Sequence, residues 1–258
     1  MKFDPELLDR MKSAKRVVVF TGAGVSQESG IPTFRDALTG LWRQFDPQEL
    51  ATPQAYFRQP NLVWGWYEWR RAKALRCRPN PAHLAISAMA RQIPDLILVT
   101  QNVDALHEAA GSQDVIHLHG SLHHPRCAQC GCLHTLPPGI PDEPEHGRRI
   151  DPPKCVGCGG RVRPGVVWFG EDLPVDALGK ARSMARSCEV LLSIGTSSLV
   201  YPAALLPREA AEKGACVVQV NPAPTELDRL ALFNLRGTAG EVMPALLTAV
   251  WGKHLDEH

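Results

Sequence analysis

What constrains this chain most is a set of short apolar runs, each delivering the backbone into a glycine or polar turn. Arg16 to Phe20 (RVVVF), Asp95 to Val99 (DLILV), Val190 to Ile194 (VLLSI) and Cys216 to Val220 (CVVQV) are the clearest. Short β-branched runs of this kind fit strands covered on both faces, the condition of a parallel sheet. Two further strand-like runs stand at Asp114 to Leu118 and Val166 to Phe169. Helical spacing fills the intervals: Leu7, Leu8 and Met11 within Pro5 to Lys15, a helix from Asn80-Pro81 to Pro94, one through Ala110, and segments at Asp176 to Ser187, Pro202 to Lys213 and Val242 to Val250. Asn80 suits an N-cap and Pro81 the first helical position. The alternation predicts an α/β chain with a doubly wound, Rossmann-like parallel sheet.

Two insertions interrupt the alternation. Residues 38–79 lose strand character and become rich in Trp and Arg, and Pro47, Pro53 and Pro60 divide them into short pieces, which predicts a small helical module. Residues 123–163 are dominated by Cys, Pro, Gly and His and lack the apolar periodicity of a core, so they need a staple. Cys127, Cys130, Cys155 and Cys158 supply one as two C-x-x-C pairs separated by 24 residues. Each pair can place two thiolates on one tetrahedral ion, which predicts one structural zinc; four sulfurs fill its coordination sphere and leave no catalytic position. Cys132, His123, His124 and His134 lie close enough in sequence to rival them as ligands. A zinc ribbon that binds nucleic acid is the alternative use, and the absence of a basic aromatic stripe argues against it. The sheet domain is expected to comprise residues 1–37, 80–122 and 164–258, with 123–163 as the zinc-binding module.

Charge and length narrow the partners. Lys+Arg number 28 against 27 Asp+Glu, a formal net charge of +1, so no global basic field exists and nucleic acid is not an expected partner. The first residues carry charges throughout, and no run approaches the roughly 18 apolar residues of a membrane span. A soluble, cytoplasmic protein is expected, and with it cysteines that bind metal rather than form disulfides. The 258 residues suit one large domain with a satellite.

Residues that could meet a ligand cluster where the runs end. Gly22-Ala23-Gly24 follows the first run, and glycines there let the backbone turn tightly while a following helix start aims N–H groups at a phosphate. Gln27 occupies the third glycine position of a dinucleotide fingerprint, so the turn alone fits a plain strand-to-helix connection equally well. Thr100-Gln101-Asn102-Val103-Asp104 stands at the carboxyl end of the second run, where open α/β sheets bind ligands; alone it also fits a polar N-cap. His119 ends another run, and its imidazole titrates near neutrality, as a general base should. Gly195-Thr196-Ser197 and Asn221-Pro222 follow the last two runs, suiting phosphate and ribose contacts or helix capping.

In combination these motifs resemble the sirtuins, the NAD-dependent protein deacylases, whose first signature is close to GAG-x-S-x-x-S-G-I-P-x-F-R. The stretch TGAGVSQESGIPTFRD, Thr21 to Asp36, matches it at every fixed place. TQNVDALHEAAG (Thr100 to Gly111), His119-Gly120, the Cys pairs, VVWFGE (Val166 to Glu171), GTSSLVYPA (Gly195 to Ala203) and Asn221-Pro222 then recur in order along nearly the whole chain. The resemblance implies that NAD is consumed: the acyl oxygen of a modified lysine attacks the ribose anomeric carbon as nicotinamide leaves. His119 then deprotonates a ribose hydroxyl, and the products are free lysine, nicotinamide and O-acyl-ADP-ribose. It further implies that Gly22, Ala23, Gly24, Gly195, Thr196, Ser197, Asn221 and Pro222 line the NAD site, with Ala239 beside adenine. Phe34 would shield the reacting face and Arg35 would lie near the phosphates. Gln101 would position the ribose, Asn102 would contact it and hold a water, and Asp104 would bond the nicotinamide carboxamide. Val167, Phe169, Gly170 and Glu171 would take acylated protein lysines by strand addition, although VVWFGE also fits a simple sheet strand.

The stretch Leu50 to Arg71 resembles one branch within the family. Tyr67 and Arg70 are three apart on an expected helix and share a face. Their Tyr-x-x-Arg pattern, with an alanine where Ala51 stands, marks the class III sirtuins that accept succinyl and malonyl groups. Between Ala51 and Asn80 there are six basic residues and one acid, Glu68, so a basic solvated face around Trp64, Trp66 and Trp69 would look similar. Arg's planar fork pairs bidentately with a carboxylate, which favours the acyl pocket. Two other functions compete: ADP-ribosyl transfer or NAD hydrolysis, which needs no acyl tunnel, and a non-enzymatic module sensing NAD or ADP-ribose.

Overall fold

A computed structural model describes residues 1–31 and 45–252. Phe34 and Arg35 therefore lie outside the described residues. The eight strands among the described residues are β1 (Arg16–Thr21), β2 (Asp95–Thr100), β3 (Ile116–His117), β4 (Gly120–Cys127), β5 (Val162–Val166), β6 (Val190–Ile194), β7 (Cys216–Val220) and β8 (Phe233–Leu235). Six of them form one sheet in the order β3-β2-β1-β6-β7-β8, and β4 with β5 forms a separate antiparallel pair. Every pairing in the large sheet is parallel. The chain leaves β1 toward β2 on one side and later returns to β6 on the other, so a crevice opens between the loops after β1 and β6.

Both faces of the sheet are covered, which is why its strands read as continuous apolar runs. Val17 and Val19 of β1 enter one core with α1 (Pro5–Ser13), α6 (Pro81–Met89) and α10 (Ala239–Trp251), through Leu7, Ile86 and Val242. Val18 and Phe20 enter the opposite core with α8 (Val175–Ala185) and α9 (Leu206–Glu212), through Ala181 and Leu206. The expected start of α6 is present: the Asn80 side chain accepts from Ala82 N–H at 2.9 Å, with Pro81 in the first turn.

The remaining helices are α2 (Gly24–Gln27), α3 (Pro47–Leu50), α4 (Pro53–Arg58), α5 (Pro60–Arg76) and α7 (Leu106–Ala109). Helix α5 is not a solvated face on an apolar stripe. Trp64, Trp66, Tyr67, Trp69 and Arg71 are all buried, and a third core joins Tyr56, Trp66 and Tyr67 to Leu122, Val166 and Trp168. Gly65 admits the 148–150 backbone: a Cβ there would stand 2.2 Å from the Arg148 carbonyl oxygen, while Ile150 N–H donates to Asn61 O at 3.0 Å. No helix among the described residues is long and apolar enough to cross a membrane.

Two expected strands need correction, and one strand lies outside the expected runs. The Val166 to Phe169 run is no strand of the parallel sheet: β5 ends at Val166 and belongs to the two-stranded pair. Its apolar character reflects Trp168, 2% exposed in the third core, rather than sheet burial. The Asp114 to Leu118 run shrinks to two residues, since Asp114 adopts φ 52° and breaks the extended backbone. The edge strand β8 is three residues long, FNL, with none of them buried, and lies in the apolar Leu230 to Leu235 stretch that the strand reading passes over.

Candidate active site

Backbone contacts between two loops build the floor of the crevice. Gly22 N–H donates to Ile194 O at 3.0 Å and Gly24 N–H to Gly195 O at 2.9 Å. A Cβ on Gly24 would lie 2.8 Å from Gly195 Cα, and Gly195 has φ 61°, so the close approach admits no side chain. Thr196 is buried beside Ser193 and Ser198, and Asn221 Nδ2 donates to Thr196 O at 2.8 Å, which ties the β7 loop to the β6 loop. Ser197 lies between Thr196 and Ser198 and is partly exposed, while Pro222 is exposed. Ala239 is buried at the start of α10. Glu28 reaches that helix, accepting from Thr238 Oγ1 at 2.9 Å and Gly240 N–H at 2.7 Å.

The first two sequence motifs meet at a residue neither spacing nor composition singled out. Asn102 Nδ2 donates to Ser26 Oγ at 3.0 Å, and Ser26 Oγ donates to Asp104 Oδ2 at 3.1 Å. Leu106 N–H donates to the other carboxylate oxygen at 3.1 Å. Asn102 and Asp104 are each 6% exposed, and burial raises the Asp104 pKa. Beneath them His83 Nε2 lies 3.4 Å from Ser26 Oγ, and its ring centroid is 4.8 Å from that of His107. His107 Nε2 is 3.0 Å from Thr21 Oγ1. Burial lowers these two imidazoles to about 4 and about 3, so both are neutral. Ser26 was visible as the fixed serine of the first signature, but His83 and His107 reach the cluster only through the packing of α6 and α7.

His119 has a defined tautomer. Its Nδ1 is 3.0 Å from Gln101 O, and a carbonyl can only accept, so Nδ1 carries the proton and Nε2 keeps its lone pair. Burial lowers its pKa, partly offset by that hydrogen bond. Gly120, with φ 74°, lets the chain turn directly after it; a Cβ there would be 2.1 Å from Gly165 O. Val167 N–H donates to His119 O at 2.8 Å, which brings the Val167–Glu171 loop beside the imidazole. His117 instead braces the Gln101–Asp104 loop, with Nδ1 3.1 Å from Asn102 O and Nε2 2.6 Å from Glu108 Oε1.

The residues of the acyl motif converge on that loop as well. Phe169 N–H donates to Ala51 O at 2.9 Å, and Trp168 Nε1 donates to Tyr67 Oη at 3.1 Å. Gly170 turns the loop with φ 85°, and Glu171 accepts from Trp168 N–H at 2.9 Å. The Arg70 guanidinium lies 5.0 Å from the Trp66 ring centroid and 5.8 Å from that of Tyr67. Desolvation lowers the Arg70 pKa, while the Tyr67 and Asp104 charges oppose that shift.

Cys127, Cys130, Cys155 and Cys158 form the metal-ligating cluster, their sulfurs all within 4.8 Å of one another. Cys127 and Cys158 Sγ are 3.4 Å apart and Cys130 and Cys155 Sγ 3.7 Å, far beyond a disulfide and near the ~3.8 Å edge of a tetrahedron with Zn–S of ~2.3 Å. Backbone N–H groups of Cys130 and Gln129 point at the Cys127 sulfur and draw its pKa down to about 6, the direction that favours a metal-binding thiolate. Cys132, His123, His124 and His134 are not in the cluster among the described residues.

With this geometry in place, the comparisons are consistent. The Sir2 family model matches residues 22–202. A Methylococcus capsulatus protein named NAD-dependent protein deacylase is 62% identical over 250 residues, covering 97% of this chain and 98% of its own. NAD-dependent protein deacylase 1 of Pseudomonas aeruginosa is 58% identical over 243 residues, covering 93% and 96%. Among solved structures, a Sir2 homologue in complex with NAD has a TM-score of 0.87 at 45% identity, covering 96% of this chain and 94% of its own. A Sir2 complex with a p53 peptide and NAD+ has a TM-score of 0.81 at 29% identity, covering 96% and 98%.

Proposed function

Because the chain belongs to the Sir2 family, the sirtuins, we infer that it is an NAD-dependent protein-lysine deacylase that removes succinyl or malonyl groups in preference to acetyl. NAD supplies a glycosidic bond to nicotinamide whose cleavage drives transfer of the acyl group onto ADP-ribose. The glycine-built floor, with Gly22, Gly24 and Gly195, presents backbone to a pyrophosphate, and Thr196, Ser197 and Asn221 present polar groups to the ribose. Asn102 and Asp104, locked together through Ser26, orient the nicotinamide side. His119 Nε2 takes the proton from a ribose hydroxyl, its ring held by Gln101. Phe34 and Arg35, outside the described residues, would on the family resemblance exclude water and meet phosphate. The four-cysteine zinc is structural and takes no part in the chemistry.

The observation that carries this reading is the shared loop: Val167 bonds the His119 backbone while Trp168 and Phe169 bond Tyr67 and Ala51. One short segment thus joins the general base to an aromatic cluster with a guanidinium beside it. NAD hydrolysis, ADP-ribosyl transfer or ADP-ribose sensing needs no such cluster. A carboxylate brought against it loses hydration and is tolerated where a charge partner and hydrogen bonds replace that hydration, as Arg70 and Tyr67 can. The test compares kcat/KM on acetyl and succinyl versions of one peptide. Arg70→Met is expected to cut desuccinylation by roughly 2–5 kcal/mol of transition-state stabilisation and deacetylation far less. Equal losses on both substrates would assign Arg70 to the surrounding scaffold.

A further inference from the structure

Within the substrate loop, Trp168 behaves unlike its neighbours: its ring is buried at 2% exposure while Phe169 is 44% exposed. The indole is gripped from several sides. The Arg163 guanidinium carbon lies 3.5 Å from the Trp168 ring centroid, and the Tyr56 and Tyr67 rings stand at 5.3 and 6.4 Å. Arg163 is itself clamped, its two terminal nitrogens donating to Glu171 Oε1 at 2.5 Å and Oε2 at 2.8 Å. The same carboxylate accepts from Trp168 N–H, so ring and backbone are fixed together.

The consequence falls on Tyr67. An indole N–H can only donate, so in the 3.1 Å contact Tyr67 Oη is the acceptor. A phenol has a single hydrogen, and with Trp168 supplying a donor that hydrogen is directed to another acceptor. Tyr67 is 4% exposed and its ring carries Arg70 on one side, so a carboxylate beside Arg70 is the acceptor the site is built to receive. We propose that Trp168 is a positioning residue for acyl selectivity, fixing the Tyr67 hydroxyl as a hydrogen-bond donor to an anionic acyl tail. This rests on the acyl-pocket reading of Tyr67 and Arg70.

The experiment is a double-mutant cycle on the zinc-loaded protein, reading the ratio of succinyl to acetyl kcat/KM for one peptide. Tyr67→Phe is expected to lower the ratio by about tenfold or more, the size of a hydrogen bond to a charged group. Trp168→Phe, which removes the indole donor, is expected to lower it about two- to tenfold, and to lower it no further in a Tyr67→Phe background. Glu171→Gln, which loosens the Arg163 clamp while keeping the indole, should give the same pattern at smaller amplitude and carries the test if Trp168→Phe does not fold. A wild-type ratio in Trp168→Phe, or the same factor lost with and without the Tyr67 hydroxyl, overturns the proposal while leaving the acyl pocket standing. A wild type without succinyl preference, or Tyr67→Phe with an unchanged ratio, removes the acyl-pocket reading and this proposal with it.

Discussion

At the scale of single residues, the account depends on where His119 keeps its proton. With Nδ1–H committed to Gln101 O, the lone pair on Nε2 is available to receive a proton without any change of tautomer. His119→Ala is expected to retain NAD binding and lose turnover by a factor on the order of 10² or more, the usual contribution of a general base. Burial lowers the His119 pKa, and a base works in its unprotonated form, so activity should hold through neutral pH and decline only below the ordinary imidazole value of about 6.5. A pH profile of kcat/KM with its acid limb above that value, or near-normal deacylation by His119→Ala, would require a different base. His119 and Asn102 each follow a strand-like run, but it is their place in motifs resembling the sirtuins that singled them out from a structural histidine and a polar N-cap. His83 and His107 were not, because nothing local marks them: they join the site through helices that cross beneath it.

At the scale of elements, the cysteine cluster sets whether the segment between β4 and β5 has a fold at all. Its residues contribute little apolar core, and the Cys127–Cys130 turn abuts the Cys155–Cys158 turn. Ligand assembly and local folding are therefore one event. About one zinc per chain is expected, and a strong chelator should open residues 123–163 to protease and abolish activity together, since β5 feeds directly into the Val167–Glu171 loop. Active protein without zinc would contradict this. Cysteine spacing made the cluster readable in advance, as helix-start chemistry did for α6. The Val166 to Phe169 run misled because a valine-rich segment reads alike whether its side chains face a sheet core or, as Trp168 does, the core beneath α5. The burial of α5 on all sides was equally hidden, since Gly65 and the 148–150 segment meet across the fold.

At the scale of the whole molecule, a sheet covered on both faces gathers the loops after β1, β2, β6 and β7 at the carboxyl ends of its strands and stores neutral histidines just beneath them. His83 and His107 have folded pKa values lowered to about 4 and about 3, against about 6.5 in an unfolded chain. The unfolded state therefore binds these protons first. Stability should be full above about pH 6.5 and fall as pH drops toward the folded values, by up to about 1.4 kcal/mol per pH unit for each histidine. Urea midpoints measured across this range should show the slope, and His83→Gln should reduce it; a flat profile from pH 6.5 to 5 would contradict the neutral cluster. The parallel topology was legible because double-sided burial writes itself into the apolar runs, whereas β8 is a three-residue edge strand with no fully buried side chain. The central claim is that NAD cleavage is coupled to acyl transfer. Its most direct measurement is nicotinamide release with a succinyl-lysine peptide, products identified by mass. The account predicts equal amounts of nicotinamide, unmodified lysine peptide and O-succinyl-ADP-ribose, none formed without the acylated peptide. Nicotinamide release that ignores the peptide and yields only free ADP-ribose or ADP-ribosylated protein would contradict it.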